Sequence, residues 1–346
     1  MPATASPREA RQRATGLLKR LATIQRKEPK YTVGLDLGAS SVKVVVLGAR
    51  KSEGSPPILA QQVVALKPGQ DVDASEALKA AVGNLPMPIS TVNMAVSGQW
   101  VIMRIIEMPA MKDNELKQAL PFEAQRYLPF NIQDVILDGA MLGPSEGKKV
   151  WVLIVACKKE LVERRIDWAK RAGVNVSLID VDALALANAF LEQSNGKPAE
   201  GTSALINVGS LLTNLVVFKG PVPYLVRDIP WGGERLIRHV GEQLGIEAEE
   251  IRQQLLKGEL GAETAEAMKL AAESLVTELQ LSFDYFENRF SQPPDKVLVT
   301  GGLSQSARFI EVLKGLLAQA VQTWAPAENL SGQFSIAYGL ALRTDH

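Results

Sequence analysis

Gly34-Leu35-Asp36-Leu37-Gly38-Ala39-Ser40-Ser41 joins two apolar β-type runs, Tyr31 to Asp36 and Val42 to Leu47. A hairpin tip of the form Asp-x-Gly-x-Ser-Ser exposes consecutive backbone N–H groups, and Gly38 lets that backbone approach an oxyanion closely. Asp36, at a strand end, is an oxygen ligand of the kind Mg²⁺ takes directly or through water. Lys43, on the outgoing strand, has the reach to touch a phosphate. Alone, the motif reads more often than not as an ordinary tight hairpin.

Working outward, the same design returns. A strand from Ser203 to Asn207, the turn Val208-Gly209-Ser210, and strands Asn214 to Lys219 and Val222 to Ile229 form a weak internal repeat of the first segment. Later, Thr300-Gly301-Gly302-Leu303-Ser304 sets two glycines after a strand and before a helix, a flat platform for a base beside a helix N-terminus that favours negative charge. Two phosphate hairpins followed by a late Gly-Gly specify the α/β, two-lobed fold of actin, heat-shock ATPases and sugar kinases, a duplicated ribonuclease-H-like architecture. The candidate nucleotide contacts are therefore Asp36, Gly38, Ala39, Ser40, Ser41 and Lys43 on the first turn. Asn207, Gly209 and Ser210 supply the second, and Gly301, Gly302 and Leu303 the platform. ATP with Mg²⁺ is the expected cofactor, with Asp36 on the metal.

Bulk properties agree with two lobes, because single cores stop growing near ~250 to 300 residues and the chain has 346. Lys plus Arg and Asp plus Glu both number 38, so no net field attracts nucleic acid. The single cysteine, Cys157, reads as a core filler in a reducing compartment. The apolar runs are of strand length, far short of the ~20 residues of a membrane-spanning helix, and the expected location is cytoplasmic. Residues 7 to 30 carry Arg8, Arg11, Arg13, Lys19, Arg20, Arg26, Lys27 and Lys30 with Leu17, Leu18, Leu21 and Ile24 at helical spacing. This leader is either a solvated helix or a basic amphipathic one touching an anionic membrane.

Between the turns the patterning predicts strands Leu59 to Leu66, Thr91 to Ser97, Val101 to Glu107, Val135 to Leu142, Val150 to Cys157 and Val174 to Asp180. Helices are expected at Asp73 to Val82, Asp113 to Tyr127 (capped by Asp113 and bent or broken by Pro121), Lys159 to Ala172 and Asp182 to Glu192. Ser194-Asn195-Gly196-Lys197-Pro198 reads as the hinge between lobes.

The stretch Ser97-Gly98-Gln99-Trp100-Val101-Ile102-Met103-Arg104-Ile105-Ile106-Glu107-Met108-Pro109, continuing through Glu115-Leu116 to Glu123-Ala124-Gln125-Arg126-Tyr127-Leu128-Pro129-Phe130, resembles the PilM family. These are actin-like, FtsA-like cytoplasmic components of type IV pilus assembly, and the resemblance spans about residues 31 to 345. It implies a subdomain 1C inserted in the fold. The expected division is a leader at 1–30, 1A at 31–108 with 181–198 and 332–346, 1C at 109–180, 2A at 199–228 with 295–331, and 2B at 229–294. By the same resemblance Pro230-Trp231-Gly232-Gly233-Glu234 is a turn into a nucleotide-lining helix. Glu249 and Arg252, in Ala248-Glu249-Glu250-Ile251-Arg252, match an element that meets ribose and base; an exposed ion pair is the alternative. The implied partner is the cytoplasmic tail of a PilN-type inner-membrane protein in a groove between 1A and 1C, sought at Met103, Ile105, Met108, Leu116, Leu120, Phe122 and Tyr127. Plain core is the alternative for most of these. Self-association is left open, and membrane contact is indirect or through the leader. Rival readings are a type II secretion or FtsA-like scaffold and a small-molecule kinase.

The match departs from the family at Asn207, where Asp is usual. Asn keeps the size and one oxygen but loses the charge and the ability to take a proton. No Gln or His starts the Asp182 helix to position a water; Asp180 and Asp182 are the only polar groups there, and Asp182 reads as an N-cap. Nucleotide binding with slow or absent hydrolysis is the expectation.

Overall fold

The computed structural model describes residues 31–50, 54–66, 74–193, 201–257 and 261–344. The basic leader and the expected hinge at Ser194 to Pro198 lie outside these. In the first lobe β1 (Tyr31–Leu37), β2 (Ser41–Gly48) and β3 (Ile58–Ala65) form an antiparallel meander. Helix α1 (Ser75–Gly83) leads to β4 (Thr91–Val96), which pairs parallel with β1, and β8 (Asn175–Val181) pairs parallel with β4. The sheet order is β3-β2-β1-β4-β8.

The second lobe repeats this topology. A meander of β9 (Thr202–Val208), β10 (Thr213–Lys219) and β11 (Val222–Ile229) is extended by β12 (Lys296–Gly301) and β13 (Ala320–Thr323), both parallel, in the order β11-β10-β9-β12-β13. Every residue of β9 is buried, as a central strand covered on both faces requires. Helices α5 (Gly233–Leu244), α6 (Ala248–Lys257), α7 (Ala262–Phe290) and α8 (Ala307–Leu316) build this lobe's core around Trp231, Phe283, Phe286 and Phe309.

Helices α4 (Asp182–Gln193) and α9 (Ser335–Ala341) pack on each other, and their core joins Val45 and Leu47 of the first sheet to Leu205 and Phe218 of the second. They cross backbone to backbone: a Cβ on Gly339 would lie 1.8 Å from the Ala185 carbonyl oxygen. Ala185, fully buried beside Ile336 and Leu340 of α9, is small enough to keep that approach short.

A third, antiparallel sheet, β5-β7-β6, is inserted after β4 from β5 (Val101–Pro109), β6 (Val135–Pro144) and β7 (Lys149–Lys158). Helix α2 (Asp113–Ala124) buries Leu116, Leu120 and Ala124 against it. Gly139 allows this, since a Cβ there would lie 2.8 Å from Leu120. Pro121 falls in the last turn of α2, where it withdraws the N–H that would have donated to the Lys117 carbonyl, and the helix runs only one turn further, stopping at Ala124, short of Tyr127. Asp113 is the first helical residue rather than the cap; Glu115 reaches back to accept from the Lys112 N–H at 2.8 Å. Residues 101–108, expected in 1A, belong to this sheet. Helix α3 (Lys159–Arg171) and β8, expected in 1C, return to the first lobe, where α3 packs on β8 and α1. Cys157 is buried in β7, where burial pushes its thiol up to about 11.

Candidate functional site

The two turns close in the same way. Gly38 N–H donates to the Ser41 carbonyl at 3.1 Å, and Gly209 N–H to the Leu212 carbonyl at 2.9 Å. Each turn thereby leaves two successive amides at its tip, Ala39 and Ser40, and Ser210 and Leu211, with no hydrogen-bond acceptor among the described residues. Both tips line one cleft of about 600 Å³ between the lobes, with Gly301 and Gly302 on its second-lobe wall. Gly301 has φ 92°, and a Cβ on it would lie 2.5 Å from the Val208 carbonyl oxygen, so glycine is demanded there. A Cβ on Gly302 would meet nothing within 4 Å, so its surface is flat and open. Free amides from the two turns at one cleft, with a flat glycine surface alongside, fit a polyphosphate carrying a planar base.

Asp36, Gly38, Ala39, Ser40, Lys43, Asn207, Gly209, Ser210, Gly301 and Gly302 all line the cleft. Lys43 Nζ sits 3.1 Å from Asp36 Oδ2. Ser41 is in β2, and Leu303 packs toward Gly233. Gly232, Gly233 and Glu234 act behind the second turn. Gly233 and Glu234 N–H groups donate to the Gly209 and Ser210 carbonyls at 2.9 Å each, and Ser210 Oγ donates to Glu234 at 3.3 Å. Arg252 holds Glu234 through two hydrogen bonds, 2.7 and 3.0 Å, and Glu249 at 3.1 Å. Hydrogen bonding from Arg252 keeps the Glu234 carboxyl below its ordinary value. The pair is thus a helical ion pair with a further task, buttressing the turn through Glu234.

Asn207 is committed to a relay. Its Nδ2 donates to Asn214 Oδ1 (2.9 Å), Asn214 Nδ2 donates to Asp228 Oδ1 (2.8 Å), and Gly98 N–H donates to Asp228 Oδ2 (2.8 Å). The negative charge expected at 207 is thus found in β11, and it ties the second lobe to the β4–β5 turn of the first. Burial raises the Asp228 carboxyl above its usual range.

Asp182 is the first residue of α4 rather than its cap, and it lines the cleft. Burial first, and then the Asp36 charge, push it up to about 7. Asp180 instead lies 3.5 Å from Arg343, away from the cleft lining. Folded protein therefore holds a proton on Asp182 between about pH 4 and pH 7 that the unfolded chain has released, so this group makes stability fall as pH rises through that window. Part of the carboxylate still reaches the cleft, so the cost is below that of full burial. Asp182→Asn is expected to be more stable than the natural protein by about 1–2 kcal/mol at pH 8 and equal to it at pH 4. Urea titrations at the two pH values check this.

Of the expected partner groove, Met103, Met108, Leu116 and Leu120 are core, each under a tenth exposed, and cannot line an open surface. Ile105 is half-buried. Phe122 (77% exposed) and Tyr127 (38%) do face out. Sequence reading passed over a patch where the chain crosses between the first and third sheets. There Trp100, 41% exposed, lies 5.8 Å from Phe130, and Lys158 Nζ sits 4.0 Å from the Trp100 ring and 4.8 Å from the Phe130 ring. It also missed Arg165, Trp168, Asn214 and Asp228.

Two equivalent anion-type turns facing one cleft, each on a meander extended by two parallel strands, define an actin-like ATPase fold. The sequence pattern of the family described as type IV pilus assembly protein PilM matches residues 34–344, and the chain belongs to that family. A solved PilM-PilN type IV pilus biogenesis complex is similar in structure, with TM-score 0.78 and 24% identity over 91% of this chain and 98% of that one. The ethanolamine utilization protein EutJ from Carboxydothermus hydrogenoformans gives 0.56 at 15% identity, covering 97% and 99%. A nucleotide-free diol dehydratase-reactivating factor gives 0.53 at 8%, covering 91% and 99%. Among the described residues no helix is long and apolar enough to cross a membrane.

Proposed function

We propose that this chain is a nucleotide-binding scaffold of a type IV pilus assembly platform. It holds ATP with Mg²⁺ in the cleft, turns it over slowly or not at all, and docks the cytoplasmic tail of a PilN-type protein at the inner face of the inner membrane. The observation that carries the nucleotide reading is the pair of free-amide tips, Ala39-Ser40 and Ser210-Leu211, lining one cleft. Asp36 is the carboxylate that would hold the ion, together with phosphate and water oxygens, the usual mode for Mg²⁺. Glu249 and Arg252 would meet the ribose and base from behind the second turn. Slow turnover follows from Asn207, whose amide is spent on Asn214 and carries no proton-accepting charge. Calorimetry with ATP and Mg²⁺, beside a phosphate-release assay, tests this reading: binding with slow or no steady-state phosphate release is expected, and turnover at heat-shock-ATPase rates would contradict it.

In the family's terms the first sheet corresponds to 1A, the third sheet with α2 to 1C, the second sheet to 2A, and α5 to α7 to 2B. The tail would dock at the seam of 1A and 1C, on Trp100, Phe130 and Lys158. Rigid aromatic anchors contribute disproportionately to peptide affinity, and Lys158 over two rings offers a cation beside them. Trp100→Ala is expected to weaken binding of a PilN-type N-terminal peptide about 10-fold or more while leaving ATP affinity unchanged. Fluorescence anisotropy with a labelled peptide reads the first and calorimetry the second.

A further inference from the structure

We infer that Arg165 reads the terminal phosphate of a nucleotide in the cleft, so that this one side chain separates a nucleoside triphosphate from a diphosphate. The inference rests on the nucleotide reading above. Helix α3 brings Arg165 and Trp168 into the first-lobe wall of the cleft, alongside Asp36 and Asp182.

Charge and hydrogen bonding single Arg165 out. The charged residues among the cleft lining are Asp36, Asp182, Lys43 and Arg165. Lys43 already has Asp36 at 3.1 Å. Arg165 is half-buried, its Nε is shielded from solvent with no hydrogen-bond partner among the described residues, and its guanidinium stands 5.6 Å from the Trp168 ring. Burial is the chief influence lowering its pKa, with Asp182 and then Asp36 opposing from within electrostatic reach. A desolvated guanidinium lacking an acceptor at Nε is suited to an anion that arrives as ligand, and its fork matches phosphate oxygens.

Position decides which phosphate. A base on Gly302 lies on the second-lobe wall, and the two turn tips grip the chain of phosphates between the lobes. The outermost phosphate then faces the first-lobe wall, where Arg165 and Asp182 stand. A diphosphate held by the two tips would stop short of Arg165. The rival role, a counter-charge that merely steadies Asp182, predicts no discrimination between the two nucleotides.

The test is calorimetric titration of the full chain with Mg-ATP and Mg-ADP, using the natural protein, Arg165→Met and Arg165→Lys. The methionine keeps the apolar stem against Trp168 and removes the charge, and thermal melts confirm folding. Arg165→Met is expected to bind ATP about 10-fold or more weakly with ADP changed less than about twofold, and Arg165→Lys to recover part of the ATP affinity. Equal weakening of ATP and ADP, or an unchanged ratio, overturns the assignment while leaving nucleotide binding intact. Natural protein that binds neither nucleotide overturns the nucleotide reading itself and this inference with it. Should Arg165→Met fail to fold, the ratio in Arg165→Lys decides, since a point charge without the fork is expected to narrow it and an unchanged ratio overturns the assignment.

Discussion

Gly34→Ala is expected to lower the melting temperature by on the order of 5 °C, from a loss of about 3 kcal/mol or more. The added Cβ would lie 1.9 Å from the Ala337 carbonyl oxygen and 2.5 Å from the Ala341 nitrogen, so it meets backbone rather than a side chain that can turn away. Helix α9 has nowhere to go. Thr32 Oγ1 donates to the Ala341 carbonyl at 2.5 Å, and Asn93 Nδ2 donates to the carbonyls of Leu340 (2.9 Å) and Arg343 (2.8 Å). On its other face Gly339 lies against Ala185. A glycine in the strand feeding the first phosphate turn is thus required by packing, and Ile336, on the same helix, lines the cleft, so a displaced α9 would disturb ligand binding too. Gly83→Ala is the control: a Cβ there would meet nothing within 4 Å, and no loss is expected. Circular dichroism melts read both, and a Gly34→Ala melting point within about 2 °C of the natural protein would contradict the packing account.

What was legible in the sequence was local or repeated. The turn after Asp36 announces itself through Gly38 and the flanking valines, and its recurrence at Gly209 needs only pattern matching along the chain. Strand β13 carries little such signal, since Ala320–Thr323 is short and largely exposed, and it forms because β12 offers it an edge. The site residues that escaped notice are those that only folding brings near. Arg165 sits on a helix whose other charges are ordinary solvent-facing ones, and nothing within α3 distinguishes it from Arg164 before the cleft closes around it. Asp228 left a faint trace, a carboxylate inside the strand Val222–Ile229 directly opposite Asn214. Four of the seven residues sought for the partner groove, Met103, Met108, Leu116 and Leu120, are core for a physical reason: they have the strand and helix spacing of a buried face, and that spacing is what core looks like. Trp100 and Phe130 lie in connecting segments and show no periodicity to read.

Asn207→Asp is expected to pull stability and chemistry in opposite directions. In the natural protein the relay alternates donor and acceptor from Asn207 through Asn214 to Asp228 and the Gly98 N–H. A carboxylate at 207 would face Asn214 Oδ1, an acceptor. If the Asn214 amide turns over to donate to it, Asp228 loses its donor and meets an oxygen instead. Either way a buried acceptor is left unsatisfied, costing about 1–3 kcal/mol, and the ligand-free melting temperature should fall by several degrees. With Mg²⁺ and ATP the new charge becomes an asset, and Mg²⁺-dependent affinity about 10-fold higher, with measurable phosphate release, is expected. Pairing Asn207→Asp with Asp228→Asn reverses the polarity of the whole relay. The turned Asn214 amide then donates to the carboxylate at 207, the introduced amide donates to Asn214 Oδ1, and its oxygen still accepts from Gly98. The double variant should therefore regain most of the lost melting temperature. Stability that is additive across the two substitutions would show that the three side chains do not act as one hydrogen-bonded unit.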